Sequence, residues 1–445
     1  MSNKKKALSA LLALVLLSGA GCGSEEAPVP SVPETPPAEP EVIQPVQPEP
    51  EPAPEPEPIV KIGQASIVAT GDILMHYPII KSGAVGDGSY NFDSIFTYFA
   101  DYVSRADYAA ANLETTLSGL DNGYKYQGYP RFNCPDGIVE GLKEAGFDLL
   151  LTANNHSFDT GETGFLRTLQ VTDGAGLDRI GTNATPEEEK FIVRDINGIC
   201  VGMTCFTYET EDGDPARKSL NCLPMTQTAG ELVNSFHYDR LEDFYTELER
   251  QLSEMEKAGA QASVLFIHWG NEYQLQENEI QREMAQRICD LGVDVIIGGH
   301  PHVVQPVELL TSSVEEGHHT VCLYSMGNAV SNQRTEQIPS AKSYTEDGVL
   351  FGVTFAQYSD GIVLLEKAEV LPTWVNLTRS EDSGKTVYEI IPLDQSVEDW
   401  KSAFTLTESE LAQAEKSYQR TMSIVGEGLD AVRLHLENQP TPADR

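Results

Sequence analysis

Positive charge is what this 445-residue chain has least of: 30 lysines and arginines stand against 68 aspartates and glutamates, a net charge of −38. Such a field repels phosphate backbones and anionic headgroups, which argues against nucleic acid and against anionic-lipid docking. Long apolar runs are also missing from the N-terminal region. Ala7 to Leu17 is its apolar stretch, eleven residues against the roughly 20 needed to span a bilayer. No two cysteines are spaced CxxC, so a zinc–thiolate site is not expected. Beyond Cys22 there are Cys134, Cys200, Cys205, Cys222, Cys289 and Cys322. Cys200, Cys205 and Cys322 sit in strand-like apolar runs and Cys289 in a helical pattern, so buried free thiols weigh at least as much as disulfides.

What is present begins with an export signal over residues 1–22. Lys4, Lys5 and Lys6 precede the apolar stretch, and small residues lead to Cys22. The segment resembles a bacterial lipobox, with Gly19 where Leu is usual. That resemblance implies lipidation of Cys22, an extracytoplasmic location and a membrane link through the lipid alone. Residues 23–60 are rich in Pro and Glu and end in PEPEPAPEPEP. They lack the apolar mass to offset chain entropy, so a disordered or polyproline spacer is expected.

The globular pattern occupies 61–395, with no second proline-rich break, and a polar helical tail follows over 396–445, where Leu411, Ala414 and Tyr418 have helical spacing. Strand-like runs alternate with amphipathic stripes such as Ile95, Phe96, Phe99 and Val103, or Leu241, Phe244, Tyr245, Leu248, Leu252 and Met255, or Ile280, Met284, Ile288 and Leu291. These stripes are expected to pack on a sheet. After Thr320 come successive β-rich runs with short turns. The expectation is an α/β layered sandwich of mixed sheets flanked by helices, an early mixed layer being followed by a more antiparallel one.

Five of the nine histidines fall where an apolar strand runs out: His76, His156, His268, His300 and His302. Ligands of open α/β sheets bind beyond the carboxyl ends of strands, so these fragments are expected to converge. Asp72 and His76 follow SIVATG. Asn112-Leu-Glu114 puts a carboxylate two residues from an amide, a candidate bridge between two cations. Asn154-Asn155-His156 interrupts a strongly apolar strand, and Asp159 is placed to orient His156 if the loop curls back. His268 directly follows SVLFI, with Glu272 nearby, and His300-Pro-His302, read as extended, projects two imidazoles onto one face. His, Asn and carboxylate ligands suit Mn, Fe or Zn alike.

In this order GD…H, NLE, NNH, HWG…E, GHPHV and YSMGN, ending at Asn328, resemble the CapA family of capsule-synthesis proteins, a branch of the calcineurin-like metallophosphoesterase superfamily. The likeness runs over roughly Ile67 to Val330. It implies a metallophosphoesterase-like fold and two divalent metal ions. Asp72, His76, Glu114 and His302 would hold one ion, and Glu114, Asn155, His268 and His300 the other, with Glu114 bridging. His156 would be the general acid. On the residue reading Asp159 is its candidate partner, and Arg131 and Asn328 are candidate substrate contacts. Three residues separate Asp72 from His76 where the superfamily usually has one, and Glu114 stands in place of an Asp. The resemblance also implies a role in poly-γ-glutamate capsule synthesis or export.

Two readings follow. One is a metal-dependent hydrolase or transferase acting on an amide or phosphoester. The other is an accessory module that holds an anionic polymer or a membrane synthase partner. Near the motifs the few candidate cations are Lys125 and Arg131, so local attraction by metal ions suits an anionic substrate better than a broad cationic face would.

Overall fold

Four parallel strands open the fold: β1 (Lys61–Ile73), β2 (Tyr108–Asn112), β3 (Leu149–Leu151) and β4 (Asp178–Ile180). The computed structural model describes residues 57–442 except 212, 214–216, 343 and 381–383. The expected signal, Cys22 and nearly all of the proline-rich stretch lie outside the described residues. The chain then builds β5 (Ile192–Ile196) and β6 (Ile199–Tyr208), a small ribbon of β7 (Ser219–Leu220) and β8 (Leu223–Pro224), and β9 (Ser235–Phe236). After these come β10 (Ala262–His268), β11 (Val295–Gly299), β12 (Val307–Thr311) and β13 (His319–Leu323). Apart from the ribbon, they form a second mixed sheet in the order β12-β13-β11-β10-β6-β5, with β9 beside β6.

The last strands depart from the expected layering. β14 (Asn328–Val330), β15 (Asp347–Tyr358), β16 (Val363–Arg379) and β17 (Thr386–Pro392) make no second layer of their own. They return to the first sheet, whose order is β17-β16-β15-β1-β2-β3-β4 with β14 also on β1. The reason is the length of β1. It exposes an edge that β15 covers antiparallel from Lys61 opposite Tyr358 to Thr70 opposite Leu350. The meander β15-β16-β17 is antiparallel, as the short turns require.

Side-chain alternation divides the core. Ile67 and Ala110 face Met203, Phe266 and Ile297 across the space between the sheets. Ala109 and Ala111 of β2 point the other way, onto Ile95, Phe99 and Leu142. The helix Leu241–Lys257 buries Phe244, Tyr245 and Leu248 on the outer side of the second sheet, and the helix Glu279–Asp290 buries Met284 and Ile288 there. Ile280, in the first turn of that helix, is 42% exposed and does not join its stripe. The Ile95–Val103 stripe is split between two four-residue helices. The six cysteines of this region are free thiols, four of them buried.

The C-terminal segment is a 31-residue helix, Glu408–Asn438, started by a capping box at Thr407 and Glu410. It lies along β16 and β12, touching both sheets, and its Val425 and Val432 enter the core between them.

Candidate metal centre

Strand register assembles the first half of the site. β14, β1 and β2 are neighbours, and Asp72 pairs with Asn328 on one side and Asn112 on the other. The three polar side chains thus stand in a row where the strands end. Gly71 permits this, since a Cβ there would fall 1.9 Å from the Gly327 carbonyl oxygen. The second sheet supplies a matching row, with His268 beside Thr207 of β6 and Gly299 of β11. The chain that leaves β11 carries His300 and His302.

Asp72 is buried and held on both oxygens. Asn112 Nδ2 donates to Oδ1 at 2.7 Å, and His302 Nδ1 lies 3.0 Å from Oδ2. Burial works to raise the Asp72 carboxyl, but the His302 hydrogen bond and charge outweigh it and leave it below its ordinary value. Burial likewise opposes charge on His302, and the Asp72 partnership reverses that effect. His268 Nε2 sits 2.8 Å from Asn155 Oδ1 and 3.4 Å from Glu114 Oε1. Burial, chiefly, drives His268 down to about 3 and His300 well below its ordinary value, so both imidazoles are neutral and able to ligate.

Glu114 is the anomaly. Its side chain is 0% exposed, and neither carboxylate oxygen has a hydrogen-bond partner. Burial, then the negative charges of Asp72 and Glu272, push its carboxyl well above the usual range. A buried carboxylate without donors is costly unless a cation compensates it. His300 Nδ1 is orphaned in the same way. Ligand atoms of Glu114, His300 and His302 lie within 4.8 Å of one another, and so do those of Asp72, Glu114 and His268. Glu114 belongs to both groups. The donor chemistry and the orphaned atoms fit divalent cations.

The structure brings together Asp72, Glu114, Asn155, His268, His300 and His302, although the triads pair the histidines differently from the superfamily pattern. His300 and His302 are not extended. Their φ angles are +96° and +57°, and the turn brings the rings to 5.9 Å. Left-handed backbone at non-glycine residues costs of order 1–3 kcal/mol each and persists where surroundings enforce it. His76 stands outside both triads. Its Nδ1 lies 3.2 Å from the Leu74 carbonyl and 3.3 Å from the Asn332 amide, and its ring meets Phe132 edge-on. Asn328 is fully buried. It directs Oδ1 to His302 Nδ1 at 3.1 Å, while Nδ2 donates to Ser331, Gln333 and the Thr345 carbonyl, a positioning arrangement for His302.

The NNH segment divides its labour. Asn154 bonds Asn112 and the Leu113 carbonyl, tying β3 to β2, while Asn155 faces His268. The loop does curl back: His156 Nδ1 is 2.7 Å from Asp159 Oδ2. Asp159 is itself fixed by the Phe132 amide at 2.6 Å and by Asn221 Nδ2 at 2.8 Å. Beside this pair opens a cleft of about 600 Å³, lined by Lys125, Arg131, Tyr124 and Asp159 among others.

Two contributors were not foreseen from sequence. Asn221 comes from the β7–β8 ribbon, where nothing marks a site except a backbone in the left-handed region, φ +48°. Tyr208 ends β6, with its ring 4.7 Å from His300 and parallel to His268. Its strand-terminal position was the available signal.

Fold and site together define an α/β protein with a buried His–Asp–Glu centre compatible with divalent metal ions. The chain belongs to the bacterial capsule synthesis protein family PGA_cap, whose model matches residues 66–333. It is 29% identical over 243 residues to the PGA biosynthesis protein CapA of Bacillus subtilis, covering 54% of this chain and 57% of that protein. It is 28% identical over 247 residues to the capsule biosynthesis protein CapA of Bacillus anthracis, covering 55% of each. The match thus spans little more than half the length of these relatives. Among solved structures, the NAD nucleotidase of Haemophilus influenzae aligns with a TM-score of 0.42 at 11% identity, over 85% of this chain and 68% of that one. A likeness at that score does not bear on the assignment.

Proposed function

We propose that this protein is a two-metal hydrolase or transferase that acts on an amide or phosphoester in capsule polymer synthesis or export, outside the cytoplasmic membrane. The observation that carries the reading is Glu114, a donorless buried carboxylate common to two ligand triads. Asp72, Glu114, His268, His300 and His302 would hold the ions, with Asn155 beside His268. Such a centre supplies Lewis-acid activation of water and of the scissile group. The protein's own residues do the rest. Asp159 holds the Nδ1 side of His156 and so presents Nε2 for proton exchange with the leaving group. Lys125 and Arg131 line the adjacent cleft and attract an anionic chain that the net charge otherwise repels. Membrane capsule-synthesis proteins are the natural partners of an exported, lipid-anchored form.

The test is metal analysis of the purified protein followed by assays on polyglutamate and generic phosphodiesters. Two bound ions with turnover of either substrate support the enzyme. Metal without turnover of any would favour the accessory module, and a protein with no bound metal would sink both forms of the metal reading.

A further inference from the structure

A histidine that exchanges a proton at one ring nitrogen needs the other held, and the holder needs fixing in turn. His156 Nδ1 and the Phe132 amide both meet Asp159 Oδ2, at 2.7 and 2.6 Å. Those two donors grip one oxygen and leave the carboxylate a pivot. The second oxygen, Oδ1, has a single donor, Asn221 Nδ2 at 2.8 Å. With its side chain 0% exposed, Asp159 depends on the protein for each of these bonds.

Counting hydrogens sharpens the role. The Asn221 amide carries two, one given to Asp159 Oδ1 and the other to the Pro130 carbonyl at 3.0 Å. Both partners are acceptors, which fixes the orientation of the amide. His156 Nδ1 lies 3.4 Å from the same nitrogen, yet no hydrogen of Asn221 remains for it. Nδ1 must therefore carry its own and give it to Asp159. The lone pair of the neutral ring is then on Nε2, which has no hydrogen-bond partner among the described residues.

The β7–β8 ribbon is shaped to deliver this group. Leu220 pairs with Leu223, and the two residues between them, Asn221 and Cys222, have φ of +48° and +56°. Two left-handed residues in a two-residue hairpin fit a type I′ turn, in which Asn is favoured at the first position. Leu220 is 0% exposed and joins the cluster of Phe158, a residue of the His156–Asp159 loop itself. The Cys222 amide donates to Thr210 Oγ1 at 2.8 Å. Ribbon, loop and the segment 130–132 thus meet at one side chain.

We infer that Asn221 is a positioning residue: it holds Asp159 at a second point and so keeps the ring hydrogen of His156 on Nδ1, with Nε2 free for exchange. The catalytic consequence rests on the proposed reading of His156 as the acid. The tautomer does not.

The experiment reads ring-nitrogen chemical shifts in the full chain carrying isotope-labelled histidine, at alkaline pH, with His156→Ala to assign the signal. Wild type is compared with Asn221→Gly and Asn221→Asp. Glycine and aspartate both accept left-handed backbone, so each keeps the turn while removing the amide. Wild type should show a protonated Nδ1 and a bare Nε2. Asn221→Gly should carry a detectable share of the other tautomer, and Asn221→Asp, which sets a carboxylate against Asp159, a larger one. A wild type protonated on Nε2, or a tautomer unchanged in both variants, would overturn the inference. Where the metal-loaded wild type turns over polyglutamate or an alkyl phosphodiester, Asn221→Gly should lose about tenfold in kcat at nearly constant KM, the lower end for an outer partner of a working histidine. It should lose less on a p-nitrophenyl phosphodiester, whose leaving group departs without a proton. Equal loss on both would make Asn221 a structural residue and overturn the inference. A tautomer that moves as expected in a protein that turns over neither substrate would uphold Asn221 and sink the enzyme reading instead.

Discussion

At the scale of single residues, Glu114 concentrates a desolvation cost that a bound cation, or in its absence a proton, offsets. Replacing it with Ala should deplete metal more than the same change at Asp72, His268, His300 or His302, because Glu114 alone is shared by both triads. Metal content after dialysis checks this, and a variant that keeps two tightly held ions would show that Glu114 bridges nothing. Removing the negative charge should also relieve its repulsion from Asp72. The metal-free Glu114→Gln protein is therefore expected to melt no lower than the metal-free wild type. His156 is expected to behave differently. Its Nδ1 is engaged with Asp159 rather than with the triads. His156→Ala should retain metal yet lose ~10²–10⁴-fold in rate, the range of a general acid. The loss should shrink for substrates whose leaving group needs no proton. Metal lost in step with activity would make His156 a ligand.

At the scale of elements, the C-terminal helix is locked to the sheet that carries the site. Gly428 lets it approach so closely that a Cβ would fall 1.7 Å from the Val307 carbonyl oxygen. Two to three turns earlier in the helix, Arg420 Nε and Ser417 Oγ donate to Asp347 at 2.6 and 2.7 Å. Asp347 begins β15, and the next residue, Gly348, bridges to Gly327 beside Asn328. Burial pushes the Asp347 carboxyl up to about 6, against the pull of Arg420 and Ser417 toward the charged form. The native state therefore keeps a proton that the unfolded chain releases near pH 4. Stability from this group is fullest below about pH 4 and is lost as pH rises to about 6, by up to ~3 kcal/mol. Relative to Asp347→Asn, the wild type should thus lose stability between pH 4 and 6 and hold a constant offset above. Urea unfolding of both proteins across that range measures it, and parallel curves would contradict the account.

At the scale of the whole molecule, the site exists because two sheets end at one mouth, each contributing strand-terminal polar residues. The charge of −38 makes any anionic substrate depend on local cations, whether Lys125 and Arg131 or bound metal ions. The proposed anchor belongs to this scale as well. No helix among the described residues is long and apolar enough to cross a membrane. The proposed attachment rests on the basic, apolar and small-residue order before Cys22. Growth on a labelled fatty acid should mark the wild type and spare Cys22→Ala, whereas equal labelling of the two would reject the anchor.

The sequence by itself marked the main strand runs and most of the polar residues that gather at the candidate site. Apolar runs ended by His, Asp, Glu or Asn are local signals, because a strand that stops at the edge of a core must release its polar residue there. The pairing of the layers was not local. β15 joins β1 across almost 300 residues, and nothing in either strand names its partner. The same holds within the site. His300 and His302 converge through left-handed backbone that a His-x-His spacing does not disclose. Asn221 reaches Asp159 from a ribbon with no motif of its own, and Tyr208 gains its role only when β6 is set beside β10. Residue chemistry travels with the sequence. Distances between segments far apart in the chain are decided by packing, and only the tertiary structure supplies them.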